Sequence, residues 1–315
     1  MKTAFMFPGQ GSQNKGMLSD LAEKYPSLLN TFQEASDVLG YDLWDLCLQG
    51  DEVRLNRTEV TQPAILTASI ALWRLWSELG AARPQYLAGH SLGEYSALVA
   101  AGSLEFRAAV ALVQERGRLM QGAVAEGVGK MAAVIGLDDE LVVAACEEAS
   151  AGQVVEAVNF NSPGQVVIAG HAEAVERAAA ACKEKGARRV LPLPVSVPSH
   201  CALMKPAAEK LAVTLQEIEV RAPAIPVLQN VTAQLVTDPA QIRENLVKQL
   251  YSPVLWTQTL KSMAELGVER VVECGPGKVL VGLAKRTLEN ASGLAMATLK
   301  DFEESYEQIG SGDSA

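Results

Sequence analysis

Short apolar runs alternate with longer amphipathic stretches along most of the chain. Residues 3–7 form a buried run, and a second run, "QYLAG", leads into the helical stretch "SLGEYSALVAAG". Between them, "TEVTQPAILTASIALWRLWSELG" has apolar residues at helical spacing, with Pro63 placed as a first helical residue and Gly80 as the stop. Strands that alternate with helices predict a mainly parallel sheet covered by helices on both faces.

The pattern of apolar and polar residues changes in the middle of the chain. Its pattern predicts a strand, a helix, two strands joined at "NSPG", a helix and a final strand in "RRVLPLPVS". This βαββαβ order is the ferredoxin-like arrangement. We therefore expect an α/β fold in which residues 126–197 form a small ferredoxin-like subdomain. It is inserted into a large parallel-sheet subdomain made of residues 1–125 and 198–304, and residues 305–315 form a flexible tail.

Composition narrows the class of protein. The chain has 315 residues, 49% of them hydrophobic, which is enough for a large core, and its formal charge of -10 argues against general nucleic-acid binding. Its five cysteines show no CxxC spacing, which favours a reducing compartment and gives no zinc site. No segment resembles a signal peptide, and no apolar run approaches the ~20 residues of a membrane helix. These features predict a cytoplasmic protein without a nucleic-acid or membrane partner.

A glycine-rich loop follows the first predicted strand in "FMFPGQGSQNKGM". It does not fit a phosphate-binding loop, because Asn14, Lys15 and Gly16 stand where Gly, Lys and Ser/Thr are needed. It does not fit the dinucleotide fingerprint either, since the third glycine is missing. What remains is a tight turn whose backbone N–H groups are free to bind something other than a phosphate.

The segment "GHSLG" at residues 89–93 matches the G-x-S-x-G pattern of a nucleophile elbow. Small residues two positions before and after the serine allow a sharp turn between a strand and a helix, and the predicted strand and helix are both in place. Ser91 is therefore a candidate nucleophile. The N–H of Leu92 is a candidate donor to a developing oxyanion, and the loop at Gln10 is the natural source of a second donor.

A serine nucleophile needs a base, and the chain has only three histidines. His90 adjoins the serine, so its side chain should point away from that of Ser91, and His171 begins a helix of the insert. His200 follows the insert, where the chain returns to the large subdomain, and is the best candidate. No carboxylate stands out as a third member. A histidine oriented by a backbone carbonyl is as plausible as a triad.

Arg116 lies on an apolar helical stripe with Phe106, Ala109, Val113 and Met120, so it is expected to face inward. A guanidinium keeps its charge at ordinary pH, and an inward one needs an anion. A planar carboxylate matches it with two hydrogen bonds. Pattern alone leaves two interpretations open: an internal salt bridge, or a site for a substrate carboxylate.

Eight ordered motifs together resemble one family. They are "FPGQGSQ", "TQPA", "GHSLGEYSAL", "QERGRLMQ", "NFNSPGQVVIAG", "VPSHCALMKPA", "VKQLYSPVLW" and "ECGPGKVL". They resemble the malonyl-CoA:acyl carrier protein transacylases of bacterial fatty-acid synthesis, and the resemblance runs from about Thr3 to Arg286.

The resemblance implies a hydrolase-like large subdomain, a ferredoxin-like small one and an active site between them. It implies that Ser91 is the nucleophile, His200 the base, and Arg116 the clamp for the malonyl carboxylate. It also implies that the amides of Gln10 and Leu92 form the oxyanion hole. The remaining implied residues are Gln249, whose main-chain carbonyl orients the histidine, and the pocket-lining residues Gln62, Met131, Asn161 and Ser199.

The implied partners are a coenzyme A thioester and acyl carrier protein, whose phosphopantetheine thiol accepts the acyl group in a ping-pong reaction without a metal or further cofactor. Because carrier proteins of this pathway are acidic, a basic rim is expected, with Arg188, Arg189, Lys285 and Arg286 as candidates. Three alternatives stay open: a trans-acting polyketide acyltransferase, a hydrolase or thioesterase on the same elbow, and a non-catalytic binding protein.

Overall fold

The structure is a computed structural model that describes residues 1–195 and 197–310, and these residues form two separate β-sheets. The first is a five-stranded parallel sheet with strand order β7-β2-β1-β8-β9. Its strands are β1 (Lys2–Phe7), β2 (Tyr86–Gly89), β7 (Val227–Leu228), β8 (Val268–Glu273) and β9 (Ser292–Ala295). The predicted parallel sheet is confirmed.

The second sheet is antiparallel, with strand order β4-β5-β3-β6. Its strands are β3 (Gly129–Ile135), β4 (Val155–Ser162), β5 (Gln165–His171) and β6 (Arg189–Pro192). Helices α8 (Asp139–Ala149) and α9 (Ala172–Glu184) pack against it over a small apolar core of their own. The chain order is thus βαββαβ, as the sequence pattern predicts.

The remaining helices surround the parallel sheet and share its larger core. They are α1 (Ser19–Lys24), α2 (Leu28–Leu39), α3 (Leu43–Leu48), α4 (Glu52–Leu55), α5 (Thr58–Glu78), α6 (Gly93–Ala100), α7 (Phe106–Gln121), α10 (Lys205–Gln216), α11 (Pro239–Gln249), α12 (Trp256–Glu265), α13 (Val279–Thr287) and α14 (Leu299–Ile309), with a short 3₁₀ helix at Ala202–Met204. None of the helices in the described part of the chain combines the length and apolar character that a membrane crossing requires.

The two sheets are joined through the edge of β4. Asn159 forms a parallel bridge with Val254, in which the N–H of Phe160 donates to the carbonyl of Val254 at 3.0 Å and the N–H of Val254 donates to the carbonyl of Val158 at 2.9 Å. These bonds place the end of β4 beside the segment that precedes α12. The small sheet therefore faces the carboxyl edge of the parallel sheet.

Two predicted boundaries were wrong. Helix α5 begins at Thr58, so Pro63 lies inside the helix rather than at its first residue, and the burial of nearly this whole stretch outweighs the hydrogen bond that proline cannot donate. Helix α14 continues to Ile309, so residues 305–309 are not part of a tail. Phe302, Ser305 and Ile309 form a buried stripe that holds this helix on the core. Residues 311–315 of the predicted tail lie outside the described residues.

Gly93 allows α6 to pack directly on the end of β1. A Cβ atom at this position would lie 1.9 Å from the carbonyl oxygen of Phe7, which is backbone and cannot move aside. We expect Gly93→Ala to lower the free energy of unfolding by about 2 kcal/mol or more. The matched control is Gly282→Ala in α13, where a Cβ meets nothing within 4 Å and alanine favours the helix. Urea unfolding of both variants tests this, and equal stabilities would contradict it.

Candidate active site

Ser91 occupies the sharp turn between β2 and α6. Its φ of 51° lies in the left-handed region, which a non-glycine residue adopts only when its surroundings hold it there. The sharp turn is possible because the residues two positions before and after Ser91 are glycines without a Cβ atom. A Cβ on Gly89 would lie 1.9 Å from the backbone of Gly93. The two glycines of the motif are thus required by close contact, as expected for a nucleophile elbow.

Asn230, in the loop after β7, holds this turn from behind. Its Oδ1 accepts a hydrogen bond from the N–H of Ser91 at 2.7 Å, and its Nδ2 donates to the carbonyl of Gly89 at 2.6 Å. The side chain is fully buried. Sequence reasoning missed this residue, because "VLQNVTA" looks like an ordinary turn until the pairing of β2 with β7 brings it beside the serine.

His200 lies against the serine hydroxyl, with its Nε2 2.8 Å from the Oγ of Ser91. On the other side of the ring, Nδ1 lies 2.6 Å from the carbonyl oxygen of Gln249. Because a carbonyl can only accept, Nδ1 carries the proton and Nε2 is free to accept from the serine. The backbone of His200 also has a positive φ, 66°, and its N–H donates to the carbonyl of Leu250 at 2.9 Å.

The surroundings keep His200 neutral. Its side chain is only 2% exposed. Burial, reinforced by the positive charge of Arg116, lowers the pKa of His200 to about 3, although the bond to Gln249 acts in the opposite direction. A neutral imidazole whose unprotonated nitrogen lies beside a hydroxyl can act as a general base.

Arg116 is 1% exposed and is surrounded by neutral acceptors. Its Nη1 donates to Oε1 of Gln62 at 2.9 Å, and its Nη2 donates to Oε1 of Gln249 at 2.9 Å and to the Oγ of Ser91 at 3.3 Å. It forms no ion pair with any residue that the structure describes. The neighbouring Glu115 pairs with the exposed Arg118 instead. The predicted inward stripe is confirmed, and the internal salt bridge is not formed.

A cavity of about 210 Å³ opens above the serine and histidine. The expected residues on its wall are Gln10, Ser91, Leu92, Arg116, Met131, Ser199 and His200. Asn56, Thr58, Gln121, Asn159 and His90 also line the cavity, although the sequence pattern does not single them out as pocket residues.

Two residues predicted to line the pocket lie behind its wall instead. Gln62 is buried and bonded to Arg116, and Oδ1 of Asn161 lies 2.7 Å from Nε2 of His90. Each side chain is therefore occupied in holding a neighbour that reaches the cavity. A sequence motif indicates that a residue lies near the site, but it does not show whether the side chain lines the cavity or supports a residue that does.

The loop after β1 passes close to the elbow. A Cβ on Gly9 would lie 2.5 Å from the carbonyl oxygen of His90, so only glycine permits this approach. The N–H of Gly11 donates to the side chain of Gln13, which donates in turn to Asn56. Within the described part of the chain, the N–H groups of Gln10 and Leu92 have no hydrogen-bond acceptor. Both are therefore available at the cavity.

Comparison with known proteins places this geometry in a family. The model of the family described as "Acyl transferase domain" matches residues 4–301. The malonyl CoA-acyl carrier protein transacylase of Salmonella typhimurium is 60% identical over 293 residues, which are 93% of this chain and 95% of the relative. The chain belongs to the acyl transferase family.

Solved structures agree with this assignment. The acyl carrier protein S-malonyltransferase of Vibrio cholerae superposes with a TM-score of 0.95 at 57% identity, covering 97% of this chain and all of that one. A malonyl-transacylase solved in complex with its type II PKS acyl carrier protein gives a TM-score of 0.97 at 56% identity, covering 98% of this chain and 100% of that one. The α/β fold with a small antiparallel sheet is therefore that of malonyltransferases.

We searched the described ranges 1–195 and 197–310 for a metal-binding site. These ranges contain no group of three or more His, Cys, Asp and Glu side chains placed to hold a metal ion. The polar groups at the cavity include the hydroxyls of Thr58, Ser91 and Ser199, the imidazoles of His90 and His200, one guanidinium, side-chain amides and backbone N–H groups. Their arrangement suits attack by an activated hydroxyl on an acyl group.

The protonation state of His200 can be tested directly. We expect its ring to stay neutral, with the proton on Nδ1, down to about pH 5, well below the ordinary histidine pKa of ~6.5. Arg116→Met should raise this pKa, because it removes a positive charge. Nitrogen NMR of histidine-labelled protein, assigned with His200→Gln, measures both. If the His200 ring of the wild type titrated near pH 6.5, its burial and its contact with Arg116 would not control its protonation, and the prediction would be wrong.

Proposed function

We propose that this chain moves a malonyl group from malonyl-CoA to the phosphopantetheine thiol of acyl carrier protein, through an ester on Ser91, for fatty-acid synthesis. One observation carries the proposal: a buried guanidinium without a carboxylate partner in the described residues lies 3.3 Å from a serine hydroxyl that is bonded to a neutral histidine. The serine and histidine supply acyl transfer. The guanidinium supplies the preference for an acyl group that carries a free carboxylate.

In the first half of the reaction, His200 accepts the proton of Ser91 while the hydroxyl oxygen attacks the thioester carbonyl. The oxyanion that forms accepts hydrogen bonds from the N–H groups of Gln10 and Leu92. When the intermediate collapses, the carbon–sulfur bond breaks and His200 returns the proton to the sulfur of coenzyme A. A malonyl-serine ester remains.

In the second half, the phosphopantetheine thiol replaces coenzyme A in the cavity. His200 takes the thiol proton, the sulfur attacks the ester carbonyl, and the same two N–H groups stabilise the oxyanion. The proton then returns from His200 to the oxygen of Ser91 as the ester bond breaks. The carbonyl of Gln249 stabilises the protonated imidazole at each half-reaction, so His200 needs no carboxylate partner.

The cavity lies between two parts of the chain. We infer that residues 126–197 form a small subdomain, which contributes Met131 and Asn159 to the wall, and that residues 1–125 and 198–304 form the large one. The exposed Arg188, Arg189, Lys285 and Arg286 stay candidates for the carrier-protein contact, although Arg286 also donates to Gln165 at 2.6 Å. The five described cysteines are buried free thiols, which suits action in the cytoplasm.

A polyketide pathway is the second candidate for the acceptor, because one similar structure is a malonyl-transacylase bound to its type II PKS acyl carrier protein. The chemistry at Ser91 is the same in both cases. Comparing the transfer rates to a fatty-acid and a polyketide carrier protein separates them. A hydrolase is less well supported, since the Nδ1 of His200 contacts a carbonyl rather than a carboxylate.

Removing the nucleophile should end the transfer. We expect Ser91→Ala to lower the rate of malonyl transfer to carrier protein by at least about 10⁴-fold. Ser77→Ala is the control and should keep most of the activity, because it removes an exposed hydroxyl that donates to the carbonyl of Trp73 in α5 and does not line the cavity. Carrier-protein loading followed by mass spectrometry measures both rates. Transfer retained in Ser91→Ala would remove the serine ester from the mechanism.

Removing the guanidinium should change the selectivity. A charge-assisted pair contributes about 3 kcal/mol, so Arg116→Met should lower the malonyl-to-acetyl rate ratio by roughly 100-fold. The matched control is Arg118→Met, two residues along the same helix, where the arginine is exposed and pairs with Glu115. It should leave the ratio unchanged. Equal losses of malonyl and acetyl transfer in Arg116→Met would assign Arg116 a structural role only.

A further inference from the structure

A second buried charge lies behind the serine. The side chain of Glu94 is fully buried at the start of α6, and its Oε2 accepts from the N–H of Asn230 at 2.7 Å and from Nε2 of Gln249 at 3.2 Å. Its other oxygen, Oε1, has no partner in the described part of the chain. A proton on that oxygen would have no acceptor, whereas the two donors bind an ionised oxygen well. The contacts therefore favour the carboxylate form.

The side-chain amide of Gln249 separates this carboxylate from Arg116. Its Oε1 accepts from the guanidinium at 2.9 Å, and its Nε2 donates to Glu94. A guanidinium can only donate and a carboxylate can only accept, so the two charges together fix which end of the amide faces which way. The amide links the charges but prevents a direct ion pair.

The two charges support each other. Burial raises the pKa of Glu94 to about 7, while the N–H of Asn230, Gln249 and Arg116 act in the opposite direction. Burial lowers the pKa of Arg116, which Tyr95 and Glu94 oppose. Each group thus favours the charged form of the other across the amide.

We propose that Glu94 is a positioning residue that serves as the indirect counter-charge of Arg116. A direct salt bridge would occupy the guanidinium and make a substrate carboxylate compete for it. A carboxylate one amide away offsets the charge of the guanidinium and leaves its N–H groups free for the substrate. This inference rests on the proposed function, because it assumes that the anion taken up by Arg116 is the malonyl carboxylate.

Binding measurements on a chain that cannot form the ester test the inference. The probes are malonyl-CoA and acetyl-CoA, titrated by calorimetry into Ser91→Ala and into Ser91→Ala/Glu94→Gln. The carboxamide keeps an acceptor for Asn230 and Gln249 but removes the charge. The malonyl group then becomes the sole counter-charge, so we expect malonyl-CoA to bind on the order of 10-fold more tightly, with acetyl-CoA unchanged.

The chain offers a matched control in Glu273. This carboxylate is also fully buried, burial raises its pKa to about 7, and it accepts from the N–H of Val281 at 2.9 Å at the start of α13. It takes no part in the hydrogen bonds of Arg116. Ser91→Ala/Glu273→Gln should leave both affinities as they are. Weaker or unchanged malonyl-CoA binding in the Glu94→Gln chain would overturn the inference.

A second measurement covers the case in which Glu94→Gln folds but is too unstable for calorimetry. The free energies of unfolding of the wild type, Glu94→Gln, Arg116→Met and the double variant form a double-mutant cycle. If the two charges are coupled, the double variant should lose less unfolding free energy than the two single variants lose together. Additive losses would overturn the inference. Failure of the proposed function looks different: Ser91→Ala with Glu94 intact would then bind malonyl-CoA no more tightly than acetyl-CoA, whatever the cycle shows.

Discussion

The buried positive charge of Arg116 is the constraint on which the rest of the site depends. A guanidinium cannot lose its proton at ordinary pH, so the fold must supply acceptors for it in the interior. It does so with Gln62 from α5, Gln249 from the end of α11 and the hydroxyl of Ser91. Through these contacts, helices α5, α7 and α11 are all connected to Ser91. The side chain proposed to select the substrate therefore also organises the local structure.

Gln249 joins the two halves of this arrangement. Its backbone carbonyl fixes the tautomer of His200, while its side-chain amide contacts Arg116, Glu94 and the carbonyl of Ser91. The residue proposed to orient the base thus also lies between the two buried charged groups. In this proposal a carbonyl serves His200, while the nearby carboxylate of Glu94 balances Arg116.

Both members of the proposed catalytic pair have a strained backbone conformation. Ser91 and His200 each have a positive φ, which costs about 1–3 kcal/mol per non-glycine residue. Hydrogen bonds from Ser91 to Asn230 and from His200 to Leu250 oppose that cost. The strain is local and the supporting hydrogen bonds hold the serine hydroxyl and the histidine ring 2.8 Å apart.

The sequence predicts the residues that line the cavity better than the buried residues that support them. Ser91, Arg116 and the two sheets follow from periodicity and spacing, because those patterns reflect burial and turn geometry directly. Asn230 and Glu94 could not be found in the same way. An asparagine after a short strand looks like a turn residue, and a glutamate in the first turn of a helix looks like a solvated charge. Their roles arise from contacts across more than a hundred residues of sequence, which only the fold brings together.

In the proposed reaction, an acyl ester on Ser91 links the two half-reactions. The most direct measurement is the intact mass of the wild-type protein shortly after mixing with malonyl-CoA in the absence of carrier protein, followed by peptide mapping. We predict a persistent malonyl adduct on the peptide that contains Ser91, and only a small adduct from acetyl-CoA. Steady release of coenzyme A without any adduct would contradict the account and indicate a hydrolase.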